Sequence, residues 1–223
     1  MLASIRGTDA YAYNHVLAKL ENVLDILPID KTSDFSKIIK TGEQRGLINN
    51  LDNGIHDRRH AILTFETIIE NEDVFKRASE IEFEAVLETI DNIPNSVPDI
   101  KITIIENGVQ KTLIGEVYAG LAGAKSNLAS QSLTYFQEVN DIRNLRFFRR
   151  ANLTNKTLAK QAVIDAWRNW ENGKFLKNQK VKSLFEKFDD EVSKSNFDFE
   201  ENTVESFLES TDEWFELIFN RKF

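Results

Sequence analysis

The sequence predicts a helix-rich α+β fold, in which helices at both ends of the chain flank a small, mainly antiparallel sheet built on a hairpin over residues 99–119. Two observations predict it. β-Branched residues fill the runs on either side of Asn107-Gly108, a dipeptide that suits the positive φ angles of a type I′ hairpin turn. Most of the remaining chain carries apolar residues at helical spacing.

Length and composition set the class of protein. With 223 residues, 41% of them hydrophobic, the chain is large enough to bury a real core in one domain with helical additions or in two small domains, and we expect one domain over residues 1–223. It would comprise an N-terminal helical part (1–78), an α/β core (79–150) and a C-terminal helical part (151–223). No apolar run is long enough to span a membrane, and the N-terminal apolar segment is too short for a secretory signal. We therefore expect a protein that works in a cytoplasm or is delivered to one.

Before the hairpin, the apolar pattern predicts helices over residues 8–27 and from Ser33 or Asp34 to Ile39, with another helical turn over 46–51. Residues 62–69 suit a helix or a strand, and we favour a helix. The stretch Ser79-Glu-Ile-Glu82 matches a capping box, which predicts an amphipathic helix ending before Asn92.

After the hairpin, a helix is predicted from Ser126 or Asn127 to Val139, then a strand over 144–152. Helices are predicted from Thr154 to Gly173, over 178–194 and over 202–220. The core would then run helix, hairpin, helix, strand.

The hairpin register carries the main functional hypothesis. With Glu106 opposite Val109, paired residue numbers sum to 215, so Asp99 lies across from Glu116. Lys101 shares their face, whereas the buried face holds Ile100, Ile102, Ile104 and Leu113. Two facing carboxylates repel, and a nearby cation, protonation or a bound metal would offset the repulsion. The alternative is a solvent-exposed sheet face with an Asp–Lys–Glu salt-bridge cluster.

Residues 79–150 resemble the core of the PD-(D/E)XK nuclease superfamily. That family places an acid-bearing helix before antiparallel strands; its Pro-Asp opens the second core strand, its Glu-x-Lys lies on the next, and a helix and a further strand follow. The matching positions are Pro98-Asp99, Glu116, Gln131 on the next helix, and Glu82 or Glu84 as the extra acid of some members.

The resemblance implies a nuclease that hydrolyses phosphodiester bonds of DNA or RNA with Mg²⁺ or Mn²⁺, held by Asp99 and Glu116 with Glu84 as a further ligand. The compact size would suit a toxin or effector domain. The chain departs from the family where Tyr118 fills the lysine slot, because a phenol does not supply a fixed positive charge. Lys101 or Lys125 would have to replace that lysine.

Three further motifs are weaker. His56 and His60 have the i, i+4 spacing of zinc proteases, but the glutamate and third histidine of such sites are missing. His60 could instead join Asp99 and Glu116 as a ligand, as a helix-borne histidine does in viral cap-snatching endonucleases, or be a plain exposed residue. Residues 120–126 look like a phosphate loop, but Ala119 and Ala124 replace its glycines.

The charge pattern leaves the partner open. A net charge of −8 argues weakly against broad electrostatic binding of nucleic acid, although residues 143–150 contain four arginines, with Lys156 and Lys160 close behind. That segment suits phosphate contact or a solvated edge. The second function class is a non-catalytic, α-rich interaction domain that binds a protein partner through its acidic C-terminal helices. Apolar stripes there are usually core, and in this chain they comprise Phe207, Trp214, Phe215, Leu217 and Phe219.

Overall fold

A computed structural model describes residues 18–19, 21–33, 55–87, 96–118, 128–149 and 155–223. The side chains of residues 29, 33, 55–61, 118 and 149 are outside this description. The short helix predicted from Ser33 or Asp34 falls outside it from residue 34 on, and Ser33 itself belongs to a strand. The helical turn predicted over 46–51 and the glycine-containing loop over 119–127 also fall outside it. Within it, residues 21–26 are helical, as predicted for part of the first helix.

Seven labelled helices and five strands follow one another in the described residues. The helices are α1 (Ile55–Glu70), α2 (Glu72–Arg77), α3 (Leu128–Glu138), α4 (Lys156–Asn169), α5 (Gln179–Phe188), α6 (Val204–Ser210) and α7 (Glu213–Ile218). The strands are β1 (Thr32–Ser33), β2 (Glu80–Phe83), β3 (Ile100–Glu106), β4 (Val109–Tyr118) and β5 (Leu145–Arg149). The helix favoured over a strand for residues 62–69 is confirmed as part of α1.

The five strands form one sheet in the order β1-β2-β3-β4-β5. The central pairs β2–β3 and β3–β4 are antiparallel, and the outer pairs β1–β2 and β4–β5 are parallel. The predicted hairpin register is confirmed, because Glu106 pairs with Val109 and Ile100 with Gly115. Asn107 (φ 53°) and Gly108 (φ 77°) both have the positive φ that a type I′ turn requires. The helix-rich α+β fold is thus confirmed.

The helix predicted from Ser79 is wrong, because this segment forms strand β2. Ile81 and Phe83 alternate with the more exposed Glu80 and Glu82, which is the period of a strand with one buried face. Pairing of β2 with residues 100–103 of β3 completes backbone hydrogen bonds that the local capping pattern does not anticipate. The core therefore runs strand, hairpin, helix, strand from residue 80 on.

The single helix predicted over 202–220 is also wrong, since α6 and α7 are separate. Thr211 adopts an extended backbone between them (φ −134°, ψ 153°), which ends α6. The N-terminal amides are capped locally: Thr203 accepts from the Ser206 amide at α6, and Asn178 accepts from two amides at α5. The helices predicted around α3, α4 and α5 and the strand β5 are confirmed.

Both faces of the sheet are covered. One face, with Ile100, Ile102, Ile104 and Leu113 as predicted, packs against α1 and α2. The other face, which holds Ile114, packs against α3 and the C-terminal helices. The alternative of a solvent-exposed second face is wrong, because Thr103, Ile114 and Glu116 on it are buried.

The C-terminal helices contribute an aromatic core. Trp167 stacks on Phe175 with ring centroids 4.2 Å apart, and Trp214 lies 5.5 Å from Trp167. Fully buried rings of this size dominate core energetics. Among the described residues, no helix combines the length and the apolar composition that a membrane crossing would need.

Candidate functional site

Asp99 and Glu116 meet at the open end of the hairpin. Asp99 lies one residue before β3, and the register of the last ladder pair, Ile100 with Gly115, continues to Asp99 beside Glu116. Oδ2 of Asp99 accepts a hydrogen bond of 2.7 Å from the backbone amide of Val117, which ties the aspartate to β4. Glu116 is only 8% exposed, and Asp99 is half-buried. The predicted carboxylate pair is therefore brought together.

Helix α3 supplies two neutral donors to Glu116. The hydroxyl of Tyr135 donates to Oε2 at 2.8 Å, and Nε2 of Gln131 donates to Oε1 at a long 3.4 Å. Residues four apart share one face of a helix, so both donors reach the sheet from the same side. Gln131 was predicted as a site residue. Tyr135 was not, although its spacing from Gln131 is the signal that would have identified it.

Burial raises the pKa of Glu116 well above its usual value, and the negative charge of Asp99 raises it further. Hydrogen bonds from Tyr135, from the Asp99 backbone and from Gln131 act in the opposite direction. The groups that act most strongly on Glu116 are thus a carboxylate and three neutral donors, none of which carries a positive charge. The pair is held at an electrostatic cost that a bound cation would relieve.

Lys101 lies on the same sheet face and forms an ion pair of 2.9 Å with Glu82, its partner on β2. Both side chains are half-buried. The sequence places Lys101 next to Asp99 and Glu116, and the structure gives it a third acid, Glu82, as its ion-pair partner. Because residue 82 lies on a strand and not on a helix, alternation puts Glu82 on this face.

Glu84 ends the alternation of β2. Its φ of 49° lies in the left-handed region, which is costly for a residue with a Cβ, and its amide donates to the backbone oxygen of Asp99 at 3.1 Å. In the part of the chain that the structure describes, no group of three or more His, Asp or Glu side chains is arranged to hold a metal. Glu84 as a ligand stays a prediction. Three predicted site features, the side chain of His60, Lys125 and the side chain of Tyr118, lie outside the described residues.

In the arginine-rich segment 143–150, the structure describes the side chains of Arg143 and Arg146, and both make contacts within the protein. Arg143 bonds to Asp141 and to Glu191, the latter at 2.6 Å. Arg146 is buried, and its guanidinium donates to three backbone carbonyls, those of Lys222, Arg143 and Leu145. These two arginines therefore serve intramolecular contacts.

The two lysines that follow are also paired within the chain. Lys156 forms an ion pair with Glu216 at 2.7 Å, and Lys160 pairs with Asp212 at 2.5 Å. Both pairs join α4 to the region of α7. The apolar stripe of α6 and α7 is likewise intramolecular, since Phe207, Trp214 and Phe215 are buried. That stripe therefore offers no surface for a partner.

The residues at the hairpin end fit a small divalent cation. Carboxylate oxygens are the ligands that Mg²⁺ and Mn²⁺ prefer, and a site with one or two protein carboxylates leaves the remaining positions to water and substrate. Tyr135 and Gln131 hold the Glu116 carboxylate, and the Val117 amide holds Asp99. Such supporting hydrogen bonds orient the ligands of known metal sites. The Asp99–Glu116 pair is therefore suited to two-carboxylate coordination.

Comparison of the chain with protein-family models, with curated proteins and with solved structures gave no match in any of the three.

Proposed function

We propose that this protein is a metal-dependent nuclease of the PD-(D/E)XK kind, which hydrolyses phosphodiester bonds of DNA or RNA with Mg²⁺ or Mn²⁺. The observation that carries the proposal is the meeting of Asp99 and Glu116 at the end of a hairpin whose register is fixed by its turn. A pair of facing carboxylates, one of them buried, costs stability. A divalent cation bound between the two carboxylates would offset that cost.

The order of elements supports the proposal. Asp99 lies one residue before β3, Glu116 lies on β4, and α3 and β5 follow. This is the order in which the superfamily places its Pro-Asp strand, its glutamate strand, and its following helix and strand. The acid-bearing helix that the resemblance implies at Glu82 is replaced by strand β2. Gln131 lies on the helix where the resemblance expects it, and its side chain reaches Glu116.

The residues of the chain have distinct parts in the proposed chemistry. Asp99 and Glu116 bind the divalent ion, while Gln131 and Tyr135 keep the Glu116 carboxylate oriented. A bound ion of this kind supplies a water of lowered pKa and neutralises charge on the phosphate. Protein groups that are already in position when negative charge develops on the phosphoryl oxygens give the largest catalytic benefit.

The superfamily's lysine position holds Tyr118 in this chain. Lys101 lies on the sheet face of Asp99 and Glu116 and takes the part of that lysine. Its Nζ forms an ion pair of 2.9 Å with Glu82, which limits the motion of the lysine side chain. We infer that Lys101 contributes positive charge to the phosphate from this position. Replacement of Glu82 by Gln would then change the rate of cleavage without removing metal binding.

Cleavage of plasmid DNA and of tRNA in Mg²⁺, Mn²⁺ or EDTA tests the proposal. We expect metal-dependent cutting that is lost in Asp99→Asn and in Glu116→Gln. Glu80→Gln is the matched control, because Glu80 is an exposed acid on the same sheet face at the far end of β2. If no substrate is cut, or if both site variants cut as well as the control, the proposal is wrong and a non-catalytic interaction domain becomes the better description.

A further inference from the structure

A lysine-rich segment, residues 172–185, lies between α4 and α5 and continues into α5. It contains four lysines and no Asp or Glu, in a chain whose net charge is −8. We call Lys174, Lys177, Lys180 and Lys182 the lysine surface. Like charges at this spacing repel one another, and a bound polyanion would offset that repulsion.

Two of these lysines keep a charge that no acid compensates. In the part of the chain that the structure describes, the Lys177 ammonium donates to a backbone oxygen at 2.6 Å, that of Lys180 donates to the Asn140 carboxamide oxygen at 3.3 Å, and neither forms an ion pair. Lys174 and Lys182 each pair with one glutamate, at 3.1 and 3.7 Å. Positive charge is therefore left over on this surface.

An aromatic ring lies next to the lysine surface. Trp170 is half-buried and lines an open groove of about 550 Å³ on α4, and the Lys174 ammonium lies 5.6 Å from its ring centroid. Asp165, the acid among the described residues that line this groove, is paired with Arg168. Proteins that bind single-stranded nucleic acid combine a positive surface for the phosphates with aromatic rings on which bases stack. Trp170 and the lysine surface provide both parts.

The packing of α5 disfavours a membrane as the partner. A helix that lies on a membrane inserts its apolar face, whereas Val181, Leu184 and Phe185 of α5 are buried in the protein core. Residues 171–188, all of which the structure describes, expose no large hydrophobic side chain. The lysine surface therefore suits a flexible polyanion in solution.

The lysine surface is joined to the helix that holds Glu116. Nε2 of Gln137, on α3, donates to the Asn178 carboxamide oxygen at 3.0 Å. Gln137 follows Gln131 by six residues on the same helix, which separates them by roughly 9 Å along its axis. At about 3.4 Å per nucleotide, a strand of several nucleotides is long enough to reach both places.

We propose that the lysine surface and Trp170 bind a single-stranded nucleic acid, with the lysines on its phosphates and the Trp170 ring stacked on a base. Binding of this kind does not read base edges and therefore tolerates many sequences. The inference rests on the proposed nuclease function, because it names the form of the substrate and the surface that holds it.

The test uses the full chain in EDTA, so that no cleavage occurs, and follows the fluorescence anisotropy of a labelled oligothymidylate. We expect wild type to bind it with an affinity that falls as salt is added. The double variant Lys177→Gln with Lys180→Gln should bind at least ten-fold more weakly and reduce the slope of log affinity against log salt by about 1–2. Trp170→Leu should bind about ten-fold more weakly, whereas Trp170→Phe keeps most of the affinity because it keeps an aromatic ring.

Lys76→Gln is the matched control, since Lys76 is an exposed lysine of α2 outside this surface, and it should bind like wild type. No binding by wild type, equal affinity of the lysine variant and the control, or equal affinity of the two Trp170 variants would overturn the inference. Equal or tighter binding of the duplex with oligodeoxyadenylate, of polyglutamate or of vesicles of phosphatidylserine and phosphatidylcholine would also overturn it. Those results leave metal-dependent cleavage to be decided by Asp99→Asn and Glu116→Gln, so the two failures are distinguishable.

Discussion

Replacement of Tyr135 by Phe tests how the buried Glu116 carboxylate is held. The substitution removes the hydroxyl that donates to Oε2 at 2.8 Å and keeps the ring, whose centroid lies 6.2 Å from that of Phe147. A hydrogen bond to a charged group contributes about 1.5–3 kcal/mol, and one between neutral groups about 0.5–1.5 kcal/mol. We therefore expect a loss of about 2 kcal/mol when Glu116 is ionised and about 1 kcal/mol when it is protonated.

The pH dependence follows from the sign of the pKa shift. The folded-state pKa of Glu116 is raised, so its stabilising contribution is fully present below the unfolded pKa and is lost as pH rises through the folded pKa. The Tyr135 hydrogen bond lowers that folded pKa, and its removal raises the pKa further. The difference in the free energy of unfolding between wild type and Tyr135→Phe should therefore widen from acidic to alkaline pH.

Urea denaturation at pH 4, 6 and 8 measures this difference. The double variant Tyr135→Phe with Glu116→Gln is the control, since its loss relative to Glu116→Gln alone should not depend on pH. A Tyr135→Phe loss that is the same at all three values, or larger at pH 4, would refute the assignment of this hydrogen bond to an ionisable, buried carboxylate.

Three further predictions use the same denaturation assay. Glu116→Gln should gain stability relative to wild type as the pH rises from 4 to 8, because the raised folded-state pKa of Glu116 makes wild type lose stability over that change; a relative stability that does not rise with pH contradicts this. Gly115→Ala should cost about 1–3 kcal/mol, because a Cβ there overlaps the ring of a neighbouring phenylalanine. Gly108→Ala, with open space but φ 77°, should cost about 1–2 kcal/mol through its backbone alone; no loss of stability in Gly115→Ala would contradict the packing. Arg146→Met should cost about 2–4 kcal/mol of stability, because it leaves three backbone carbonyls unpaired. Arg143→Met, at the surface, should cost less than about 1 kcal/mol. Equal losses would contradict the role of the buried Arg146 guanidinium in pairing those carbonyls.

The hairpin and its register could be predicted because both are local. The Asn107-Gly108 turn fixes the pairing by geometry, and alternation along β3 then assigns Ile100 and Ile102 to the buried face. The side-by-side placement of Asp99 and Glu116 follows from the same count. These features required no knowledge of the rest of the chain.

Strand β2 could not be predicted in this way, because four residues fit two periodicities. Ser79 and Glu82 match a helix cap, whereas Ile81 and Phe83 match an alternating strand, and pairing with β3 decides between them. The spacing of Tyr135 from Gln131 places both residues on one face of α3, but the packing of α3 against β4 is what brings the Tyr135 hydroxyl to Glu116. A local sequence pattern does not predict tertiary contacts of this kind.

The central claim is that Asp99 and Glu116 together bind one divalent ion. Calorimetric titration of Mn²⁺ into wild type, Asp99→Asn, Glu116→Gln and the control Glu80→Gln tests it most directly. The account predicts one site in wild type and in the control, with affinity reduced by ten-fold or more in either site variant. Equal affinity in all four proteins, or no Mn²⁺ binding to wild type, would contradict it.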